Sequence, residues 1–183
     1  MSGDIETVRQ AIVTSLGNAL GNPVLVEAHG GRFGRAELAR YSKRAPAVLV
    51  AAMSMPEILD QPRPGRAKVQ FAAFVVCRDA PLERRDTQAL ILAEALVRHI
   101  TGNSWGLASA RRPERLNAEN LYSGEIDSLG IAMWAVSWRQ EINLSARSDA
   151  AELADFATFH ATHQVGDGPD TESHLELPTE ESP

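Results

Sequence analysis

The spacing of apolar residues predicts a helix at the start of the chain. From residue 5 onward these residues recur at intervals of three or four: Ile5, Val8, Ile12, Leu16 and Leu20. Such a stripe is typical of an amphipathic helix that packs on one side, here over residues 2–18. Gly17 and Gly21 mark its end. A strand over residues 24–27, a flexible loop over residues 29–34 and a short helix over residues 35–43 are predicted to follow.

Two apolar stretches of strand length predict the centre of a sheet. Residues 47–53 read AVLVAAM, which fits a strand covered on both faces. Residues 68–78 predict a longer strand with apolar positions 69, 71, 73 and 75 on one face and 74 and 76 on the other. The segment between them, MPEILDQPRPGR, is rich in proline. It predicts a projecting loop with no regular structure across residues 61–65, because proline lacks an N–H donor.

The second half of the chain predicts a long helix and a second pair of strands. The helix spans residues 81–100, with Asp79 as a cap, Pro81 in the first turn and Gly102 after the last turn. A strand over residues 116–122 is connected through residues 123–130 to a last strand over residues 131–144. Trp134 and Trp138 share one face of that strand. Core packing accounts for both, with interface anchoring as the alternative.

Together these elements predict an α/β domain of the α+β type over residues 1–147. Its sheet is mixed, largely antiparallel, of about five strands, and packed with helices. The two strand pairs suggest antiparallel hairpins, and the crossover helix between them is expected to make the sheet mixed.

Two further segments are predicted after the domain. Residues 148–165 predict a short docking helix, because Asp149 and Glu152 have capping-box spacing ahead of apolar residues. Residues 166–183 are polar, acidic and punctuated by proline. They are predicted to form a disordered acidic tail, because such a composition buries too little apolar surface to offset its ordering entropy.

The charge of the chain is unevenly distributed. The formal net charge is −6, yet residues 1–147 carry +3, with 16 Arg and 2 Lys, while residues 148–183 carry −9. A weakly basic body lacks the strong field that drives non-specific nucleic-acid binding. A dedicated DNA-binding protein is therefore not expected. The excess of arginine over lysine fits either planar contacts at protein interfaces or a GC-rich genome.

The sequence predicts no catalytic, cofactor-binding or metal-binding residue. Cys77 is the single cysteine and lies in an apolar run, as a buried hydrophobe does. The stretch over residues 30–35 lacks the residues of a P-loop and the spacing of a dinucleotide turn. His160 and His163 have zinc-like spacing but no completing ligands. A reducing compartment is expected, with neither a secretion signal nor a membrane span.

Arginines in or beside predicted turns are the candidate contact residues. They are Arg32, Arg35, Arg63, Arg66, Arg111 and Arg112. Arginine in loops suits protein interfaces, and a solvated rim is the alternative interpretation.

The last strand pair carries a resemblance to a known family. The stretch NAENLYSGEIDSLGIAMWAVSWRQEINL resembles the C-terminal hairpin of the Mu-like bacteriophage tail terminator family. The N-terminal helix, the SKRAPAVLV stretch that leads into a central strand, and the helix over residues 84–100 are also similar to that family. The resemblance covers roughly residues 4–145 and rests on pattern and short motifs, with no catalytic signature.

The resemblance implies a tail-terminator-like fold and a structural virion protein that is not an enzyme. Such a protein assembles as a homo-oligomeric, six-fold ring on the end of the tail tube that lies away from the baseplate. It stops tube polymerisation and joins the tail to the head. Its implied partners are the tail tube protein and the head–tail connector proteins, and DNA passes the ring without sequence-specific binding. The implied locations are the virion tail and, during assembly, the host cytoplasm.

Two other classes of function remain open at the level of sequence. One is an adaptor that binds a partner through its acidic C-terminal tail, with the body as a carrier. The other is a small enzyme whose site has no recognisable motif, because a constellation of side chains formed only in three dimensions is invisible in sequence.

Overall fold

A computed structural model describes residues 3–59, 65–145, 158–163 and 171–176 of the chain. It divides the chain into two compact units, Met1–Ser145 and Ala146–Pro183.

The first unit is built on one five-stranded sheet. Its strands are β1 (Leu25–Ala28), β2 (Ala47–Leu59), β3 (Arg66–Arg78), β4 (Glu114–Asn120) and β5 (Ile131–Asn143). Their order across the sheet is β1-β2-β3-β5-β4. Only β1 and β2 run parallel, and the other neighbours are antiparallel. The predicted mixed, largely antiparallel α+β sheet is confirmed.

The reason for the mixed sheet differs from the expected one. β3, which precedes the long helix, and β5, the second strand after it, pair antiparallel over their whole length. The parallel pair is instead β1 and β2, joined by a connection that holds the short helix α2 (Arg35–Ser42).

Helices cover both faces of this sheet. α1 (Asp4–Leu20) and α3 (Arg85–Ile100) pack on the first face, where the stripe of Val8, Ile12 and Leu16 is fully buried. α2 and the short α4 (Gly124–Ser128) belong to a smaller cluster on the second face. β3 is buried on both faces along most of its length, as its sequence predicts.

β2 is longer than predicted and includes part of the proline-rich segment. Its pairing with β3 continues to Ile58↔Ala67 and Leu59↔Arg66, with register shifts around residues 54–57. The prediction of a loop from residue 55 is therefore wrong for residues 55–59. Pro56 is tolerated because it lies in the irregularity between Ser54 and Glu57, where the register gives it no partner on β3, and because β1 pairs with β2 only as far as Val50.

α3 is shorter than predicted. The backbone groups of Ala80 and Glu83 bond to each other, with N···O distances of 3.0 and 3.3 Å. This tight turn contains Pro81 and delays the helix to Arg85. β4 begins at Glu114 and ends at Asn120, two residues earlier than predicted at each end, and the connection before β5 contains α4.

The second unit contains a two-stranded antiparallel sheet. β6 (Thr158–His163) pairs with β7 (Thr171–Glu176). The end of the predicted docking helix is therefore a strand. Part of the tail that was predicted to be disordered is a strand as well. Three β-branched threonines occur in these two strands and favour extended backbone. The rest of both predicted segments lies outside the described residues. No helix among the residues that the structure describes is long and apolar enough to cross a membrane.

Candidate functional site

Three of the six candidate arginines meet at one end of the sheet. Arg66 begins β3, and its Nη1 lies 2.8 Å from Oε1 of Glu141. The backbone N–H of Arg111 donates to the carbonyl of the same Glu141 at 2.9 Å, and Arg112 follows directly. We call Arg66, Arg111 and Arg112 the arginine end. All three side chains are exposed.

The buried amide of Gln140 holds the loop that presents two of these arginines. Gln140 is 1% exposed. Its Oε1 accepts from the indole N–H groups of Trp105 and Trp138 at 2.8 and 3.2 Å. Its Nε2 donates to the carbonyls of Arg111 and Asn103 at 2.6 and 3.3 Å. Both donors and both acceptor positions of the amide are thus used, as a buried polar group requires.

The same loop contains a residue in an unusual backbone conformation. Trp105 has a φ of 60°, a backbone conformation that residues other than glycine rarely adopt. Its backbone N–H donates to Oδ1 of Asn103 at 2.7 Å, and its indole is anchored on Gln140. The surrounding bonds therefore fix a conformation that would be costly in a free loop.

Further backbone bonds join the loops at this end to the sheet. The N–H of Asn143 donates to the carbonyl of Ser109 at 2.8 Å, and the N–H of Leu144 donates to the carbonyl of Gly65 at 2.9 Å. The arginine end thus combines a fixed backbone with exposed guanidinium groups. Such groups suit bidentate contacts with carboxylates or phosphates.

Charged side chains of the neighbouring strands occupy the adjacent second face of the sheet. Lys68 Nζ lies 2.7 Å from Oε2 of Glu57, and Arg139 Nε donates to Oε1 of Gln70 at 3.2 Å. The hydrogen bond from Lys68 lowers the pKa of Glu57, and the charges of Lys68, Arg139 and Arg115 act in the same direction. This part of the sheet face is polar and carries both signs of charge.

Of the other three candidate arginines, the two that the structure describes, Arg32 and Arg35, are not part of this end. Arg32 and Arg35 are exposed in the loop before α2 and in its first turn. That loop packs beside the middle of β2, where Gly31 approaches Ala51 and Met53. Arg63 lies outside the described residues.

The structure brings His29 and Glu37 together, a pair that the sequence analysis missed. His29 is 8% exposed, and its Nε2 lies 2.8 Å from Oε1 of Glu37. Its Nδ1 accepts from the backbone N–H of Gly31 at 3.0 Å, so Nε2 carries the proton donated to Glu37. The hydrogen bond with His29 is the main cause that lowers the pKa of Glu37. Because both ring nitrogens are engaged, this histidine anchors the loop instead of offering a free base.

A second pair joins the two helices of the first face. Ser15 Oγ on α1 lies 2.8 Å from Nε2 of His99 on α3, although 84 positions separate them. The same nitrogen lies 3.3 Å from Nδ2 of Asn103. In a hydrolytic triad a third group orients the histidine through Nδ1. No described residue makes such a bond to His99, so the pair fits a helix–helix contact.

Cys77 is fully buried in the first-face core. Burial is the main cause that raises the pKa of its thiol to about 12. A thiol that stays protonated is a poor nucleophile and a poor metal ligand. Within the described residues, no group of three histidine, cysteine or acidic side chains is placed to hold a metal ion.

Comparison of the sequence with protein-family models and with curated proteins finds no match in either. The family resemblance of residues 4–145 therefore remains a prediction from the sequence.

Proposed function

We propose that this protein is a structural virion component that closes a phage tail tube. In this proposal several copies form a ring, six-fold as the resemblance implies, on the tube end that faces the head. The ring ends tube polymerisation and connects the tail to the head, so the protein acts in the virion tail and, before that, in the host cytoplasm. Its partners are the tube protein and the connector proteins.

The arginine end is the observation that supports this proposal most directly. Arg66 and Arg111 are distant in sequence, yet both attach to Glu141, and Gln140 fixes the loop between α3 and β4. A rigid backbone reduces the entropy lost when a surface docks on a partner. Exposed arginines on such a backbone suit the repeated contacts that each copy in a ring makes with a subunit of the tube.

The extent of the resemblance also supports the proposal. The residues that resemble the family run from roughly 4 to 145, and the first compact unit is Met1–Ser145. Resemblance and compact unit therefore concern the same part of the chain, and the acidic second unit is an addition to it.

Capping of tail tubes in vitro tests the proposal. The tail tube protein of the same phage is polymerised with and without this protein, and the particles are measured by negative-stain electron microscopy. We expect a ring at one tube end and shorter tubes as the ratio of this protein to tube protein rises. The double variant Arg111→Glu/Arg112→Glu is expected to lose capping while it still self-associates.

The matched control is Arg32→Glu/Arg35→Glu, which reverses two exposed arginines away from the arginine end. This control is expected to cap like the unmodified protein. A protein that stays monomeric at high concentration and leaves tube length unchanged would overturn the proposal.

An adaptor role remains the second candidate because the acidic residues form a compact unit of their own. Unit Ala146–Pro183 holds nine acidic residues, one arginine and the β6–β7 pair. An acidic module attached to a domain suits a basic partner. If removal of residues 146–183 abolishes partner binding while self-association persists, the adaptor role is favoured.

A further inference from the structure

Two exposed apolar surfaces lie on opposite edges of the five-stranded sheet. The first is the outer part of β2, where Met53, Met55 and Ile58 are 43% to 65% exposed. We call these residues the edge strip. The second is a cleft of about 650 Å³ where α3 begins and β4 ends. Exposed large apolar side chains that lie near one another in this way are typical of interaction sites.

The edge strip is open because β1 is short. β1 pairs with β2 only from Ala47 to Val50, so the outer side of residues 54–58 faces no strand among the described residues. Pro56 has no N–H to donate there, and two register shifts interrupt the strand between Ala52 and Glu57. Both features disfavour the addition of another strand to this edge. The edge therefore offers apolar side chains and not a continuous backbone ladder.

Apolar side chains and paired charges both line the cleft. Leu90 of α3, Tyr122 after β4, Ile126 of α4 and Trp134 of β5 contribute to its lining. Leu90 and Tyr122 are 51% and 73% exposed, although both are large. Trp134 is only half-buried, unlike Trp138, so core packing accounts fully for Trp138 alone.

The charged residues that line the cleft are paired with each other. Arg85 lies 2.6 Å from Asp127 and 3.5 Å from Asp79, and Arg84 Nε lies 3.1 Å from Asp86. These short pairs reduce the field that would attract a charged ligand. The cleft therefore complements an insert with little unpaired charge such as the edge strip, which presents two methionines and an isoleucine. The one charged residue within residues 53–58, Glu57, is paired with Lys68 at 2.7 Å.

The positions of the two surfaces suit contacts between successive copies. The edge strip lies on β2 beyond the last residue paired with β1 and near the start of β3, whereas the cleft lies beside the end of β4 and the start of β5. Because strand order places β2 and β4 on opposite sides of the sheet centre, one copy can engage two neighbours at once. Head-to-tail contact between two different patches is the arrangement that closes into a ring.

We propose that the edge strip of one copy inserts into the cleft of a second copy of this chain. This inference rests on the proposed ring and names its interface. The side chains of Met55 and Ile58 pack against Leu90, Tyr122 and Trp134, and the paired charges form the polar rim.

Paired substitutions test the two sides of this interface in the full chain. Ile58→Asp on the strip and Leu90→Asp in the cleft are each expected to weaken self-association about tenfold or more, as loss of a central apolar anchor does. Sedimentation velocity across a concentration series measures the change. Ile91→Asp is the matched control, because Ile91 and Leu90 are adjacent on α3 and both 51% exposed, but only Leu90 lines the cleft.

Mixing the two variants distinguishes this interface from a symmetric one. The Ile58→Asp chain keeps an intact cleft and the Leu90→Asp chain keeps an intact strip, so the mixture is expected to form one-to-one dimers that neither variant forms alone. An interface that uses the same patch on both copies would stay defective in the mixture. Unchanged thermal unfolding midpoints verify that both variants are folded.

The outcomes separate this inference from the proposed function. If the unmodified chain forms rings and both variants do as well, the interface assignment is wrong while the ring proposal stands. If the unmodified chain stays monomeric, the ring proposal fails, and the interface inference falls with it. Loss of assembly in the Ile91→Asp control to the same degree as in Leu90→Asp would also overturn the assignment.

Discussion

Gly31 shows how one residue fixes the loop before α2. Its φ is 81°, and a Cβ at this position would lie 3.2 Å from the Cβ of Ala51 and closer still to the thioether of Met53. The flexible Met53 side chain can turn away, but the positive φ and the contact with Ala51 remain. The backbone N–H of Gly31 also donates a hydrogen bond to Nδ1 of the buried His29.

We predict that Gly31→Ala lowers the free energy of unfolding by about 1–2 kcal/mol, the cost of a left-handed conformation for an L side chain. Chemical denaturation measures the change. Gly30→Ala is the control, because no atom lies within 4 Å of its added Cβ and its φ is not positive. The control is expected to stay within about 0.5 kcal/mol of the unmodified protein. Equal effects at the two positions would contradict this account.

Gln140 is the polar residue on which the arginine end depends. We predict that Gln140→Leu lowers the free energy of unfolding by about 2–4 kcal/mol, because buried N–H and C=O groups are left without partners. Denaturant unfolding measures the loss. Gln10→Leu is the control: Gln10 is exposed and donates only to Glu6 at 2.8 Å, so a change below about 0.5 kcal/mol is expected. A small effect at Gln140 would mean that other contacts hold the loop.

The buried thiol of Cys77 gives a prediction about chemical modification. A pKa raised to about 12 keeps the thiol neutral at all ordinary pH values, and the thiolate becomes abundant only above that pH. At pH 8 the ionised fraction is about 10⁻⁴, and the thiolate is the reactive form. We predict that iodoacetamide does not modify the folded protein and modifies one thiol after denaturation. Mass spectrometry measures this, with Ala108→Cys at an exposed loop position as the rapidly modified control; fast native labelling of Cys77 would contradict its burial.

Among the secondary-structure elements, α3 is capped at its N-terminus by a residue outside the helix. Arg84 occupies the N-cap position without a capping side-chain bond. Oδ1 of Asp79 accepts from the backbone N–H of Arg85 at 3.0 Å instead. The sequence correctly identified Asp79 as a capping residue, but the turn of Ala80 and Glu83 moved the first helical residue to Arg85.

We predict that Asp79→Ala destabilises the protein by about 1 kcal/mol, the usual value of a helix cap. Asp79→Asn keeps an acceptor oxygen and is expected to recover more than half of that loss. Thermal and denaturant unfolding of the three proteins measure the difference. Equal destabilisation by Ala and Asn would show that the charge next to Arg85, and not the cap, is what matters.

β2 shows why a strand boundary was missed. The prolines of this segment predicted a loop, because proline has no N–H to donate to the hydrogen-bond ladder of a sheet. Whether a residue must donate depends on both neighbouring strands. Pro56 lies in an irregularity of the β2–β3 register, and β1 ends before it reaches Pro56. No local pattern in residues 55–59 contains the register with β3 or the length of β1, so only the assembled sheet decides this point.

At the scale of the whole molecule, the body is expected to fold without the acidic unit. Among the described residues, the buried members of both core clusters lie between Val8 and Ile142, and the partly buried ones between Ile5 and Leu144. Removing residues 146–183 changes the formal net charge from −6 to +2. The truncated chain therefore loses charge and keeps every core residue that the structure describes.

We predict that residues 1–145 unfold within about 2–4 °C of the full chain, a shift below about 1 kcal/mol. Differential scanning calorimetry measures the midpoint. Self-association of the truncated chain is expected to persist, because the proposed interface lies within residues 53–134. If truncation abolishes self-association while the melting midpoint is unchanged, the acidic unit takes part in assembly and the proposed interface is incomplete.

Elements whose signals are local could be predicted from the amino-acid sequence. The stripe in α1, the alternation along β5 and the two apolar faces of β3 each follow from side-chain periodicity, so the α+β class was accessible without a structure. Arginine-rich turns were accessible for the same reason, as a property of neighbouring residues.

Features that depend on residues distant in sequence became visible only in the folded chain. Arg66 and Arg111 meet on Glu141, Ser15 meets His99, and Gln140 joins two tryptophans to the loop of Arg111. The parallel pairing of β1 also lies beyond local pattern, as does the outer edge that it leaves open on β2. Hydrogen bonds and open edges are relations between segments, and periodicity within one segment carries no information about its neighbours.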